Sequence, residues 1–256
     1  MRISSILIAA SAVATPALAG PTIELSTGLE YQEGEYGTGE SIETWTVPTS
    51  VRVQSGQVIL SATLPYLRVD APGNVVGGGG GILGLPIVID PTQPPERVRR
   101  EGVGDLELGA AYVVPTDAIG LTLSGQVKVP TASTSKGLGT GEMDYAVGAE
   151  LSKTFGSVTP FVGVGYTMPG DPEAFELRSS LSARAGAAVQ MASRVRGHVA
   201  YGYARSVSPL VPDEQQISAG VNAGVTDQVS MGVYGSAGLS EGSPDVGAGL
   251  RLGTAF

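Results

Sequence analysis

The chain has 256 residues and a net charge of −9, from 24 Asp and Glu against 15 Lys and Arg, which argues against nucleic acid as a partner. It has no cysteine, so no disulfide framework holds it together, and its 38 glycines come with a positive mean hydropathy, which excludes a disordered glycine-rich chain. After Gly20 no apolar run is long enough for a spanning helix, so a membrane location requires a closed barrel.

Residues 1–19, MRISSILIAASAVATPALA, carry an early positive charge at Arg2, an apolar stretch and Ala17-Leu18-Ala19 before Gly20. That is the pattern of a secretory signal peptide, and it predicts export. From residue 20 to 256 the dominant signal has a period of two. In TIELSTGLEYQ, Ile23, Leu25, Leu29 and Tyr31 share one parity while Glu24, Ser26, Gly28 and Glu30 share the other. The split returns in DLELGAAY, GLTLSGQVKV and RVRGHVAYGY. Twelve strands are predicted, at 22–32, 42–54, 57–69, 103–114, 120–130, 142–154, 158–168, 174–190, 194–205, 216–225, 228–239 and 246–256. Short turns and longer polar or Pro-rich loops alternate between them. The predicted fold is all-β: a transmembrane, antiparallel, up-and-down barrel with both termini at the short-turn, periplasmic end.

A soluble sandwich also alternates, but its polar parity faces bulk water. Here glycine dominates that parity, as at Gly28, Gly109, Gly163, Gly186, Gly220, Gly232 and Gly249, which suits a confined lumen better.

The longest loop is predicted at about 71–101, on the extracellular side. Its run of five consecutive glycines from Gly77 is not followed by the Gly-Lys-Ser/Thr of a phosphate loop. Its apolar piece, Ile82, Leu83, Leu85, Ile87 and Ile89, should not stand free in water. Two outcomes stay open: a constriction folded over or into the barrel mouth, or a hairpin extending the neighbouring strands.

Charges on the inward parity give the candidate pore lining: Glu24, Glu30, Arg52, Glu107, Lys128, Glu150, Arg178, Arg184, Arg194, Arg196, His198 and Arg251. Lys128 is expected among Asp105, Glu107 and Asp144 as an internal ion pair. Arg184 and Arg251, near mid-depth, are the expected contacts for a solute carboxylate. His198 is the only histidine, so a multi-histidine metal site is excluded, and no cofactor is expected. A Ser–His lipid hydrolase using Ser180 or Ser182 is conceivable, but no nucleophile turn accompanies either serine, and no enzyme is expected. Acids outnumber bases along the long loops, so the outer rim is expected to be negative.

The last strand, DVGAGLRLGTAF, ends on Phe256. It resembles the C-terminal signal of bacterial outer-membrane proteins, which implies recognition by the barrel-assembly machinery. GVGDLELGAAY (Gly102 to Tyr112), VKVPTAS (Val127 to Ser133), LGTGEMDYAVGAEL (Leu138 to Leu151) and TPFVGVGYTMPGDP (Thr159 to Pro172) resemble the outer-membrane transporters of the meta-pathway phenol-degradation family. That resemblance implies a bacterial outer-membrane channel for small, often aromatic, solutes, in contact with lipid and lipopolysaccharide. It carries no binding residues over. The alternative is a non-conducting surface barrel whose loops bind a partner or lipopolysaccharide.

Overall fold

The computed structural model describes residues 21–77, 87–116, 119–174 and 176–256. The expected signal peptide and three of the constriction candidates, Ile82, Leu83 and Leu85, lie outside the described residues.

The first three strands are β1 (Thr22–Gly34), β2 (Ile42–Ser55) and β3 (Val58–Pro72), followed by the short pair β4 (Val75–Val76) and β5 (Val88–Ile89). Then come β6 (Arg97–Val103), β7 (Leu106–Val114), β8 (Gly120–Val129), β9 (Asp144–Ser152) and β10 (Val158–Met168). The chain finishes with β11 (Ser180–Ala192), β12 (Val195–Ala204), β13 (Glu214–Gly224), β14 (Val229–Gly238) and β15 (Val246–Ala255). Strands β6 and β7 form one broken stave, so the closed antiparallel barrel has twelve. Closure runs through β15 and β1, where Leu29 faces Leu250 and Gly28 faces Arg251. Backbone hydrogen bonds between Ile23 and Phe256, at 2.9 and 3.2 Å, extend that seam to the last residue. The C-terminus is ordered because its backbone would otherwise leave a sheet edge open.

Parity then decides what each side chain meets. Outward positions are apolar around the whole ring and exposed: Leu25, Leu60, Leu108, Leu123, Val147, Val164, Ile217, Val233 and Leu250 among them. Such a surface is unfavourable in water and suits hydrocarbon. Outward aromatics stand near the long-loop ends of the strands, at Trp45, Tyr145, Tyr166 and Tyr203, and the Tyr31 and Trp45 rings meet at 4.7 Å. They form the aromatic girdle expected at a membrane interface.

Two expectations change at the long-loop end. The loop predicted over 71–101 is shorter, because β3 runs on to Pro72 and β6 pairs back along it from Tyr66↔Val103 to Pro72↔Arg97. Asp70 fixes this extension by bridging Arg97 Nε at 2.7 Å and Arg99 at 3.0 Å. The eighth stave begins at Ser180 rather than 174, since the segment before it docks sideways, Arg178 N–H donating to Val207 O.

An apolar core sits inside the wall at this end. Leu67, Val69 and Ala71 share the inward parity of Ser61 and Thr63, and they pack with Tyr36, Ile42, Val75, Ile87, Ala132 and Leu138. Burial among these groups, with the charges of Glu214 and Asp245 in support, pushes the Tyr36 phenol above the ordinary tyrosine range. The β4–β5 pair is a sheet of its own, not an extension of the staves. Its alternation serves two clusters: Val75 and Ile87, with Ile89 partly buried beside them, join the first, and Val76 and Val88 pack with Val207 and Leu177.

Candidate functional site: the lumen wall

The glycines of the inward parity have a packing role that no single strand reveals. A Cβ added at Gly163 would lie 3.1 Å from Arg184 Nε and 3.3 Å from its Cγ. At Gly186 it would meet the Phe161 ring, and at Gly109 the Ser61 hydroxyl. Each of these three glycines is a slot into which a side chain of the adjoining strand leans. The wall is therefore polar yet thin, because charged groups lie along it instead of projecting across the lumen.

Most of the predicted lining residues are held by partners. Glu24 and Arg52 pair across β1 and β2 at 3.7 Å. Arg184 crosses Gly163 to pair with Glu150 and stacks over Phe161, 5.4 Å from the ring centroid. Glu107 accepts a hydrogen bond from Gln126 at 3.1 Å. Arg251 donates to Ser26 Oγ at 2.7 Å. Glu30, Arg196 and His198 share the inward parity of their strands. Among these, Phe161 and Gln126 were missed by a reading confined to charges; inward parity alone would have named them.

Lys128 is different, since its side chain is only 1% exposed. Its ammonium lies 2.8 Å from Asp144 and 3.6 Å from Asp105 and donates to Thr140 Oγ1 at 3.1 Å. The acids in turn hold loops: Asp105 Oδ1 accepts the Ala132 N–H, and Asp144 Oδ1 accepts the Gly170 N–H. Lys128 thus ties three staves to two loops and is covered by them, whereas Glu107, also expected beside it, turns to Gln126.

Two residues expected along the wall lie at its ends. Arg178 precedes β11 and binds the β12–β13 loop, donating to Ser206 O at 2.9 Å and standing 3.7 Å from Asp213. Arg194 lies in the tight turn between β11 and β12 and pairs with exposed Asp227 of the neighbouring turn. In both cases the strand stops before the arginine, so parity no longer aims it inward.

Register also separates His198 from the serines considered as its partners. His198 faces Ala188 across β11 and β12, whereas Ser182 faces Ala204. Six residues of strand is about 20 Å, far beyond hydrogen-bond reach. Among the described residues neither ring nitrogen of His198 has a hydrogen-bond partner.

Cavities open on both sides of the lumen. One is bordered by Ser61, Thr63, Glu107, Ser124, Glu150 and Arg184, the other by Ser26, Ser50, His198, Asn222, Tyr234 and Arg251.

A closed antiparallel barrel, greasy outside and charged within, is the architecture of outer-membrane channels and porins. The chain belongs to the family described as "Putative MetA-pathway of phenol degradation", which matches residues 32–254. Its fold is similar to that of the COG4313 outer membrane channel from Pseudomonas putida F1, with a TM-score of 0.71 at 15% identity over 93% of this chain and 96% of that one. It is similar also to the KdgM porin, with a TM-score of 0.54 at 8% identity over 91% and 98% of the two chains. The translocator domain of the autotransporter NalP from Neisseria meningitidis gives 0.50 at 11% identity over 93% and 88%. No curated protein sequence matches the chain. At such identities the likeness concerns fold, and one fold serves channels and a translocator alike.

Proposed function

We propose that the protein is a passive channel of the bacterial outer membrane that admits small solutes, aromatic ones included. One observation carries the proposal: Arg184, His198, Asn222 and Tyr234 of the inner wall lean into glycine slots and cavities remain on both sides of the lumen, an arrangement that a purely structural plug does not need. Family membership adds the link to phenol breakdown and hence to aromatic solutes. The β4–β5 segment, with Ile87 and Ile89, serves as the constriction at the extracellular mouth. The signal peptide at 1–19 directs export, and Phe256 serves the barrel-assembly machinery. Transport follows the gradient of the solute.

The apolar cluster at the mouth favours a second reading, a closed surface barrel whose loops bind a partner or lipopolysaccharide. Conduction separates the two, since a closed barrel passes no current, and ion selectivity then shows which charges the path meets. Glu33, Glu35, Glu40 and Glu43 surround the first long loop, and a mouth of one sign concentrates the opposite ion. Reversal potentials across a salt gradient should reveal weak cation preference at low ionic strength. It should fade as the Debye length falls from about 30 Å at 0.01 M to about 3 Å at 1 M. Anion preference persisting at high salt would mean that the lumen arginines set selectivity instead of the rim.

A further inference from the structure

Between β12 and β15 the lumen wall repeats one arrangement three times. His198 faces Gly220, Asn222 faces Gly232, and Tyr234 faces Gly249, each pair spanning adjacent strands. At every one of these glycines a Cβ would collide with the facing side chain, with the imidazole Cε1, the amide Oδ1 and the phenol ring in turn. Imidazole, carboxamide and phenol therefore lean along the wall over the next strand. On β15 Arg251 continues the row, held by its hydrogen bond to Ser26. All four border the same cavity.

Three of these groups are flat and conjugated, and one is a cation with a planar fork. Side chains that lie along a wall turn faces, not edges, to the cavity, and such faces stack on a planar ring. The guanidinium fork matches a carboxylate, and hydrogen bonds to it are charge-assisted. Among the described residues neither buried nitrogen of the His198 ring has a hydrogen-bond partner, which is uncommon for buried polar groups and leaves a donor and an acceptor for a ligand. Acidic groups limit the charge the cavity accepts. Glu30 also borders it and faces Gly249, two residues along β1 from Gly28, which faces Arg251. Glu24 is engaged with Arg52.

We propose that this row is a subsite for a planar aromatic monocarboxylate, with the carboxylate on Arg251, the ring over Tyr234 and Asn222, and His198 bonding to a polar edge. Glu30 admits one negative charge and repels a second. The subsite lies on the path proposed above and in that respect rests on the channel proposal.

Equilibrium binding to the refolded protein in detergent, by titration calorimetry, tests it without requiring conduction. Benzoate should bind more tightly than cyclohexanecarboxylate, which has the same charge but no flat ring, and more tightly than the dianion terephthalate. Arg251→Gln should weaken benzoate binding about tenfold, the usual weight of a charge-assisted hydrogen bond. Gly249→Val, which keeps every charge but drives Tyr234 off the wall, should remove the preference for the flat ring. If either variant fails to fold, the ligand comparison on the wild-type protein decides alone. Equal affinity for benzoate and cyclohexanecarboxylate, or unchanged benzoate binding in folded Arg251→Gln, would overturn the subsite. A conducting barrel indifferent to the ring loses the subsite and keeps the channel. A silent barrel that still prefers benzoate loses the channel and keeps the subsite.

Discussion

Replacing Lys128 with methionine is expected to destabilise the barrel by about 3–5 kcal/mol, the usual consequence of removing one partner from a buried ion pair. The side chain fits by volume, so the effect is electrostatic: Asp105 and Asp144 would face each other with no cation between them. Their grip on the Ala132 and Gly170 amides would loosen as protonation or water replaced the lysine. Urea unfolding followed by tryptophan fluorescence measures the loss. The double variant Lys128→Met with Asp144→Asn should recover part of it, because one uncompensated charge is gone. An unchanged unfolding midpoint in Lys128→Met would mean that the ion pair does not hold the loops.

Removal of the mouth hairpin should have the largest effect on transport. Asn74 O accepts the Asp90 N–H at 2.8 Å, so the two ends of the excursion already meet. Deleting residues 75–89 and joining Asn74 to Asp90 through two glycines would leave all twelve staves intact. It would withdraw Val75 and Ile87 from one apolar cluster and Val76 and Val88 from the other. Conductance is expected to rise several-fold, with the deleted protein still folded. Unchanged conductance would put the hairpin outside the solute path.

What the sequence made legible is what strand parity can carry. Leu121, Leu123 and Val127 against Thr122, Ser124 and Gln126 fix both the strand and its two faces, because a one-residue slip would turn every apolar side chain into the lumen. The same logic reaches Arg184 and Arg251. It fails where the backbone leaves the ladder: Arg178 and Arg194 have inward parity by counting, but the ladder ends before them. It also could not show why glycine recurs on the inward face, since the partner that fills a slot, such as Arg184 over Gly163, sits on a neighbouring strand and not nearby along the chain. The β6 extension was hidden for a related reason. Its sequence, RVRREGV, is too charged to announce a strand, and it becomes one by pairing with β3 and by the Asp70 bridges.

The most direct test of a passive channel is single-channel recording of the refolded protein in a planar lipid bilayer. Discrete, voltage-ohmic steps from a protein verified as folded, enlarged in the hairpin deletion, are the predicted result. A folded barrel that stays silent both with and without the hairpin would contradict it.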